Sequence, residues 1–155
     1  MPYAHITGWG MAVPEQVRTN DDLSKMVETN DEWIRARTGI RERRIASEDE
    51  SSATLGAGAA LCALEVANLR AADLDLIIVA SSSPEHIFPA TASIIQDRIG
   101  AINAGAFDIL AACTGFIFAV NMAAQSIRSG ASKNVLVVGA ETLSRKLDPH
   151  DRDSM

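Results

Sequence analysis

The sequence predicts an α/β domain organised on a mainly parallel sheet. Two observations carry this reading. Residues 74–80 (Leu-Asp-Leu-Ile-Ile-Val-Ala), 104–110 (Ala-Gly-Ala-Phe-Asp-Ile-Leu) and 134–140 (Asn-Val-Leu-Val-Val-Gly-Ala) are short, largely apolar runs of strand length, the pattern of strands buried on both faces. Helical stretches alternate with them, at 53–69, 91–99 and 113–129. Right-handed crossovers then place helices on both faces of the sheet. A ligand crevice is expected at the carboxyl ends of the strands, where the loops at 81–89, at 111–113 and from 141 onward meet.

Taken in order, residues 5–13 read as a Gly-interrupted strand closed by Pro14. Asn20 is a candidate N-cap for a short helix running to about Glu28, with Asp21 and Asp22 in its first turn. A second short helix runs from about Asp31 to Ala36, carries Trp33 and is broken at Thr38-Gly39. Residues 40–45 read as an exposed ribbon with its charges facing out, and 47–52 as a polar, acidic linker. The helix at 53–69 is crowded with small residues. Glycine inside a helix costs about 1 kcal/mol against alanine, so Gly56 and Gly58 point to another backbone close by. Gly100 and Gly130 stop the next two helices, and residues 141–155 are polar with no packing signal.

One stretch does not suit a single sheet with one helix layer per face. Residues 116–120 (Phe-Ile-Phe-Ala-Val) are all apolar within a helix, and at 100° per residue they cannot share one side. A helix apolar all round is buried all round. A further layer, from a second domain or a second chain, is expected to cover it.

The chain has 155 residues, is 47% hydrophobic and carries a net charge of -6. That is the profile of a globular core and offers no electrostatic footprint for nucleic acid or for a membrane surface. No apolar run is long enough to span a bilayer. The two cysteines, Cys62 and Cys113, show neither metal spacing nor a disulfide framework, so no metal site and a reducing, cytoplasmic setting are expected.

Cys113 falls where a strand turns into a helix. Unpaired N–H groups and the positive end of the helix dipole gather at such a point and favour the thiolate, which is the nucleophile. That is the physical case for a catalytic cysteine. A small buried core residue is the competing reading, and position alone does not separate the two.

The residues then carry a resemblance. Val13-Pro14-Glu15-Gln16-Val17-Arg18-Thr19-Asn20, Asp31-Glu32-Trp33-Ile34, Arg37-Thr38-Gly39-Ile40-Arg41-Glu42-Arg43, Ala106-Phe107-Asp108 with Ala111-Ala112-Cys113, and Asp148-Pro149 with Asp151-Arg152 occur together. Jointly they resemble the N-terminal half of β-ketoacyl-acyl-carrier-protein synthase III, the thiolase-like condensing enzyme that starts fatty acid synthesis. The Trp33 and Arg37–Arg41 segments point to this branch over chalcone synthases or hydroxymethylglutaryl-CoA synthases.

The resemblance implies one half of an α-β-α-β-α layered, thiolase-like fold with a mainly parallel mixed sheet. Residues 1–155 would form the N-terminal half, with the C-terminal half absent from this chain. It implies that Cys113 takes an acyl group from acyl-CoA, the substrate rather than a resident cofactor. Malonyl-acyl carrier protein would then be decarboxylated and condensed with that thioester. Trp33 and Arg152 match residues that sandwich the CoA adenine, and Thr29 and Arg37 match residues that help hold the nucleotide; a flat ring and a planar guanidinium suit a purine. Phe88 matches a residue that borders the acyl pocket of the partner subunit in a homodimer. The family's catalytic histidine and asparagine belong to its second half, and His5, His86 and His150 do not match that histidine. A non-catalytic CoA-binding or assembly module stays as the alternative. A cysteine hydrolase is weaker, because no motif places a general base here.

Overall fold

The computed structural model describes residues 3–148 and 150–152. Pro149, part of the Asp148-Pro149 match, lies outside the described residues, as do both chain ends. In chain order the elements are β1 (Val17–Thr19), α1 (Asn20–Ser24), α2 (Asp31–Thr38), β2 (Glu42–Arg44), α3 (Ser52–Ala67), β3 (Leu76–Ala80), α4 (Thr91–Ile99), β4 (Gly105–Ile109), α5 (Gly115–Ser129) and β5 (Val135–Gly139). Single 3₁₀ turns stand at Ala71–Asp73, Ala112–Thr114 and Leu143–Arg145. The chain forms two compact units, residues 3–12 with 51–141, and residues 13–50 with 142–152.

The first unit is the α/β layer structure expected. Its three strands run in the order β4-β3-β5, all parallel, with Ile78 at the centre opposite Phe107 on one side and Val137 on the other. β3 in the middle is nearly all buried, which is why it has no polar alternation. Helices α3 and α4 cover one face, where Ala57, Ala60, Ile95 and Ile99 pack with Ile77, Val79 and Val138. Helix α5 covers the other through Ala119 and Ala123 against Ile78.

Gly56 and Gly58 mark close approaches, but of side chains and not of the other backbone that the sequence predicts. A Cβ on Gly56 would stand 2.7 Å from Ile95 Cδ1 and 3.2 Å from Val138 Cγ1, and one on Gly58 would stand 3.2 Å from Ala12 Cβ. Residues 5–13 are not a strand. No described strand pairs with them, and residues 8–12 lie along α3 instead, where a Cβ on Gly8 or Gly10 would overlap the carbonyls of Ala63 and Ala59.

The apolar stretch of α5 is open in this chain. Ala119 is fully buried, whereas Ile117 is 69% exposed and Phe116, Phe118 and Val120 are exposed as well. The sheet accounts for one side of the helix only.

The second unit is smaller. β1 and β2 form an antiparallel ribbon, with Arg18 opposite Arg43. Helix α1 is shorter than the sequence indicates and ends by Lys25, and its N-cap is Thr19 rather than Asn20. Thr19 and Asp22 form a reciprocal capping box, which frees the Asn20 side chain to point inward. The ribbon does not face all its charges outward, since Arg43 is half-buried. Residues after 141 do pack: the Ala46 N–H donates to Ser144 Oγ at 3.3 Å, and the Arg145 guanidinium donates to the Ser47 carbonyl. Such polar contacts across nearly a hundred residues leave no trace in hydropathy.

Candidate functional site

The carboxyl edge of the sheet gathers three loops, as parallel strands require. The Ser81 N–H donates to the Ile109 carbonyl at 3.3 Å, and the Ala140 N–H donates to the Ala80 carbonyl at 3.1 Å. The Glu141 carboxylate clamps the loop after β3. It accepts from the Ser82 N–H at 2.6 Å and from Ser83 Oγ at 2.5 Å, while Ser52 Oγ at the start of α3 donates to the Ser83 carbonyl at 2.9 Å. Asp108 of β4 supplies what Ala90, the residue ahead of α4, cannot. Its two carboxylate oxygens accept from the N–H groups of Thr91 and Ala92 at 2.7 and 2.8 Å. Neither role is legible in the sequence, where Glu141 is one acidic residue among twenty.

Cys113 lies at this edge, in the 3₁₀ turn that leads into α5, and it is exposed. The buried-core reading of this cysteine is therefore set aside. Ala112, just before it, has φ +46°, in the left-handed region that a residue with a Cβ enters only at a cost. Thr114 turns its hydroxyl back onto the Ala111 carbonyl at 2.8 Å and does not cap the first N–H groups of α5. The turn sits close on β3: a Cβ on Gly115 would stand 3.1 Å from Ala80 Cβ. An exposed thiol, a strained turn and helix N–H groups that Thr114 does not cap together suit a nucleophile that forms a thioester. Phe88 belongs to the same unit and is 90% exposed on the loop at 81–89.

The second unit holds a pocket lined by Leu23, Val27, Thr29, Trp33, Ile34, Thr38, Arg43 and Arg152. Trp33 is set in the first turn of α2, where its N–H donates to Oδ1 of the N-cap Asn30 at 2.8 Å. Two guanidinium groups lie over its ring, Arg152 at 4.6 Å and Arg37, one helical turn on, at 4.8 Å from the centroid. Thr29 Oγ1 is buried with no hydrogen-bond partner among the described residues. So Thr29, Trp33, Arg37 and Arg152 come together in one unit, while Cys113 and Phe88 lie in the other. Arg43 and Asn20, which the sequence reading passed over, belong with the first group. The signal for Arg43 was the alternation of the ribbon, which turns its middle residue inward; Asn20, the first residue of α1, lies outside the ribbon and carries no such signal.

Among the described residues no group of three His, Cys, Asp or Glu side chains could hold a metal ion, and no helix is long and apolar enough to cross a membrane.

Comparison with known proteins bears on this architecture. The family model for 3-oxoacyl-[acyl-carrier-protein] synthase III matches residues 107–155. The β-ketoacyl-[acyl-carrier-protein] synthase III of Xylella fastidiosa is 56% identical over 150 residues, which is 97% of this chain and 46% of that protein. Among solved structures, the 3-oxoacyl-[acyl-carrier-protein] synthase III of Aquifex aeolicus superposes with a TM-score of 0.92 at 51% identity, covering 96% of this chain and 48% of that one. The priming β-ketosynthase of the R1128 polyketide pathway superposes at 0.93 and 37% identity, over 97% of this chain and 45% of its own. The chain thus spans about half the length of the relatives it matches. By sequence along nearly its whole length and by fold, the chain is similar to β-ketoacyl-acyl-carrier-protein synthase III proteins over about half of their length.

Proposed function

We propose that this chain is the acyl-accepting, N-terminal half of a β-ketoacyl-acyl-carrier-protein synthase III. Exposed Cys113, in its strained turn at the carboxyl edge of the parallel sheet, is the observation that carries the reading. The Cys113 thiolate attacks the carbonyl of acetyl-CoA or a related acyl-CoA. The CoA thiolate leaves, and the acyl group stays on Sγ as a thioester. Malonyl-acyl carrier protein then loses CO₂, and its carbanion attacks the thioester, returning the Cys113 thiolate. The pocket around Trp33, Thr29, Arg37 and Arg152 takes the nucleotide of CoA, its ring and guanidinium planes matching a purine. Phe88, exposed on its loop, borders the acyl pocket of a partner subunit. The open apolar face of α5 supports a further covering layer and a homodimer. The protein works in the cytoplasm and needs no resident cofactor.

Acyl capture asks for less than condensation, since exchanging one thioester for another leaves like bonds. Condensation draws on the histidine and asparagine that the resemblance assigns to the second half, and loss of an oxyanion donor alone costs about 10²–10³ in rate. The 155-residue chain incubated with acetyl-CoA therefore gains one acetyl group by intact mass, slowly. Cys113→Ala abolishes the gain, Cys62→Ala leaves it, and malonyl-acyl carrier protein yields no ketoacyl product. Labelling that survives Cys113→Ala removes the nucleophile assignment. Binding of CoA without any acylation favours the non-catalytic CoA-binding module instead.

A further inference from the structure

The pocket in the second unit holds a cation whose role the nucleotide reading leaves open. Arg152 and Arg37 place their guanidinium groups over the Trp33 ring. Arg43, the half-buried middle residue of β2, is held differently. Its Nη1 donates to Oδ1 of Asn20 at 2.8 Å. Asn20 is 1% exposed, and its own Nδ2 donates to Asp31 Oδ1 and to the Ile40 carbonyl, both at 2.8 Å. Two acceptors on Nδ2 leave only one orientation for the amide, with its oxygen toward Arg43.

An amide oxygen steers a guanidinium without neutralising it. Among the described residues no carboxylate stands within ion-pair distance of Arg43. A partly buried cation without a counter-ion is costly to keep, and burial alone already pulls this guanidinium below its ordinary pKa. Thr29 Oγ1, buried and unpartnered, lines the same pocket. A guanidinium with free N–H donors and a hydroxyl without a partner are together the groups that phosphate oxygens satisfy.

We propose that Arg43, positioned by the buried amide of Asn20 and assisted by the Thr29 hydroxyl, is the anion-binding group of this pocket and takes a phosphate of the adenine nucleotide. The inference rests on reading the pocket as the nucleotide site. Arg43 and Trp33 then divide the work, the phosphate to one and the base to the other.

Calorimetric titration of the 155-residue chain with adenosine and with adenosine 3′,5′-bisphosphate tests it. Wild type binds the bisphosphate about 10–100-fold more tightly than adenosine, the scale of a charge-assisted hydrogen bond. Arg43→Gln removes most of that difference and leaves adenosine binding within about twofold, while Arg43→Lys, which keeps the charge and loses the fork, retains part of it. Thermal melting confirms that each variant is folded, and if Arg43→Gln is not, the same comparison is made with Arg43→Lys. Unchanged discrimination in a folded variant overturns the role of Arg43 while the nucleotide reading stands. Failure of wild type to bind either ligand overturns both.

Discussion

The guanidinium carbon of Arg152 lies 4.6 Å from the centre of the Trp33 ring. Aromatic partners stack with centres about 4.5–7 Å apart, so these two groups already occupy each other at stacking distance. A purine that is to lie between them must first lift Arg152 away. On the proposed nucleotide reading, binding of CoA replaces one stack by two, with Arg152 as the movable wall.

Trp33 is therefore expected to report nucleotide binding. In a Trp9→Phe background, which removes the other, exposed indole, CoA changes the emission of Trp33. Trp33→Ala weakens CoA binding by about 1–3 kcal/mol, the range of base–aromatic stacking. Arg152→Ala costs less, because the guanidinium it removes had to leave Trp33 in any case. Equal CoA affinity in wild type and Trp33→Ala, measured by equilibrium dialysis, would show that the ring is not the base platform.

The turn before Cys113 makes a second prediction. Ala112 holds φ +46°, a conformation that costs a non-glycine residue about 1–3 kcal/mol. Ala112→Gly removes that strain and gives back about 0.4–1 kcal/mol through the greater freedom of the unfolded chain. Its melting temperature stays level or rises, and Cys113 is still acetylated. Ala112→Val, β-branched, melts lower and loses acylation rate, because the turn can no longer present the thiol. A Val variant as stable and as reactive as wild type would show that the left-handed turn carries no constraint.

Acid stability supplies a third. The Asp75 carboxylate accepts from the N–H groups of Asn134 at 2.9 Å and Lys133 at 2.7 Å, and these bonds hold its pKa below the ordinary carboxylate value. With the folded pKa depressed, the contribution to stability is fully present above the unfolded value of about 3.9 and is lost as pH falls through the folded one. Asp31, lowered first by the Asn20 amide and then by Arg35, acts in the same direction. Urea unfolding between pH 6 and pH 2.5 should show stability falling from about pH 4 downward. Asp75→Asn flattens that fall and starts from a lower stability at pH 6. Parallel curves for the two proteins would remove Asp75 from the account.

How much of this was legible in the sequence varies by element. The strands at β3, β4 and β5 and the helices α3, α4 and α5 could be read to within a few residues, because burial on both faces or a long helical period marks them directly. The short elements of the second unit could not. Asn20 was a natural N-cap by residue type, yet Thr19 caps the helix and Asn20 is buried as a bracket for Arg43. Residues 5–13 had the composition of a strand, and a strand also needs a partner edge, which no stretch of primary structure can promise.

By itself the sequence determined the α/β class, the position of Cys113 at a strand-to-helix turn and the resemblance to a known family, since local periodicity and the joint occurrence of motifs need no coordinates. Tertiary structure alone decided that Cys113 is exposed, that Ala112 is strained and that Glu141 clamps the neighbouring loop. It also decided that Arg152 reaches Trp33, and that Asn20 holds Arg43 at the pocket. Each of these depends on atoms brought together from distant residues or on a backbone angle set by packing. Hydropathy records the apolar burial that drives the chain to fold, and it is silent on which polar groups that burial leaves facing one another.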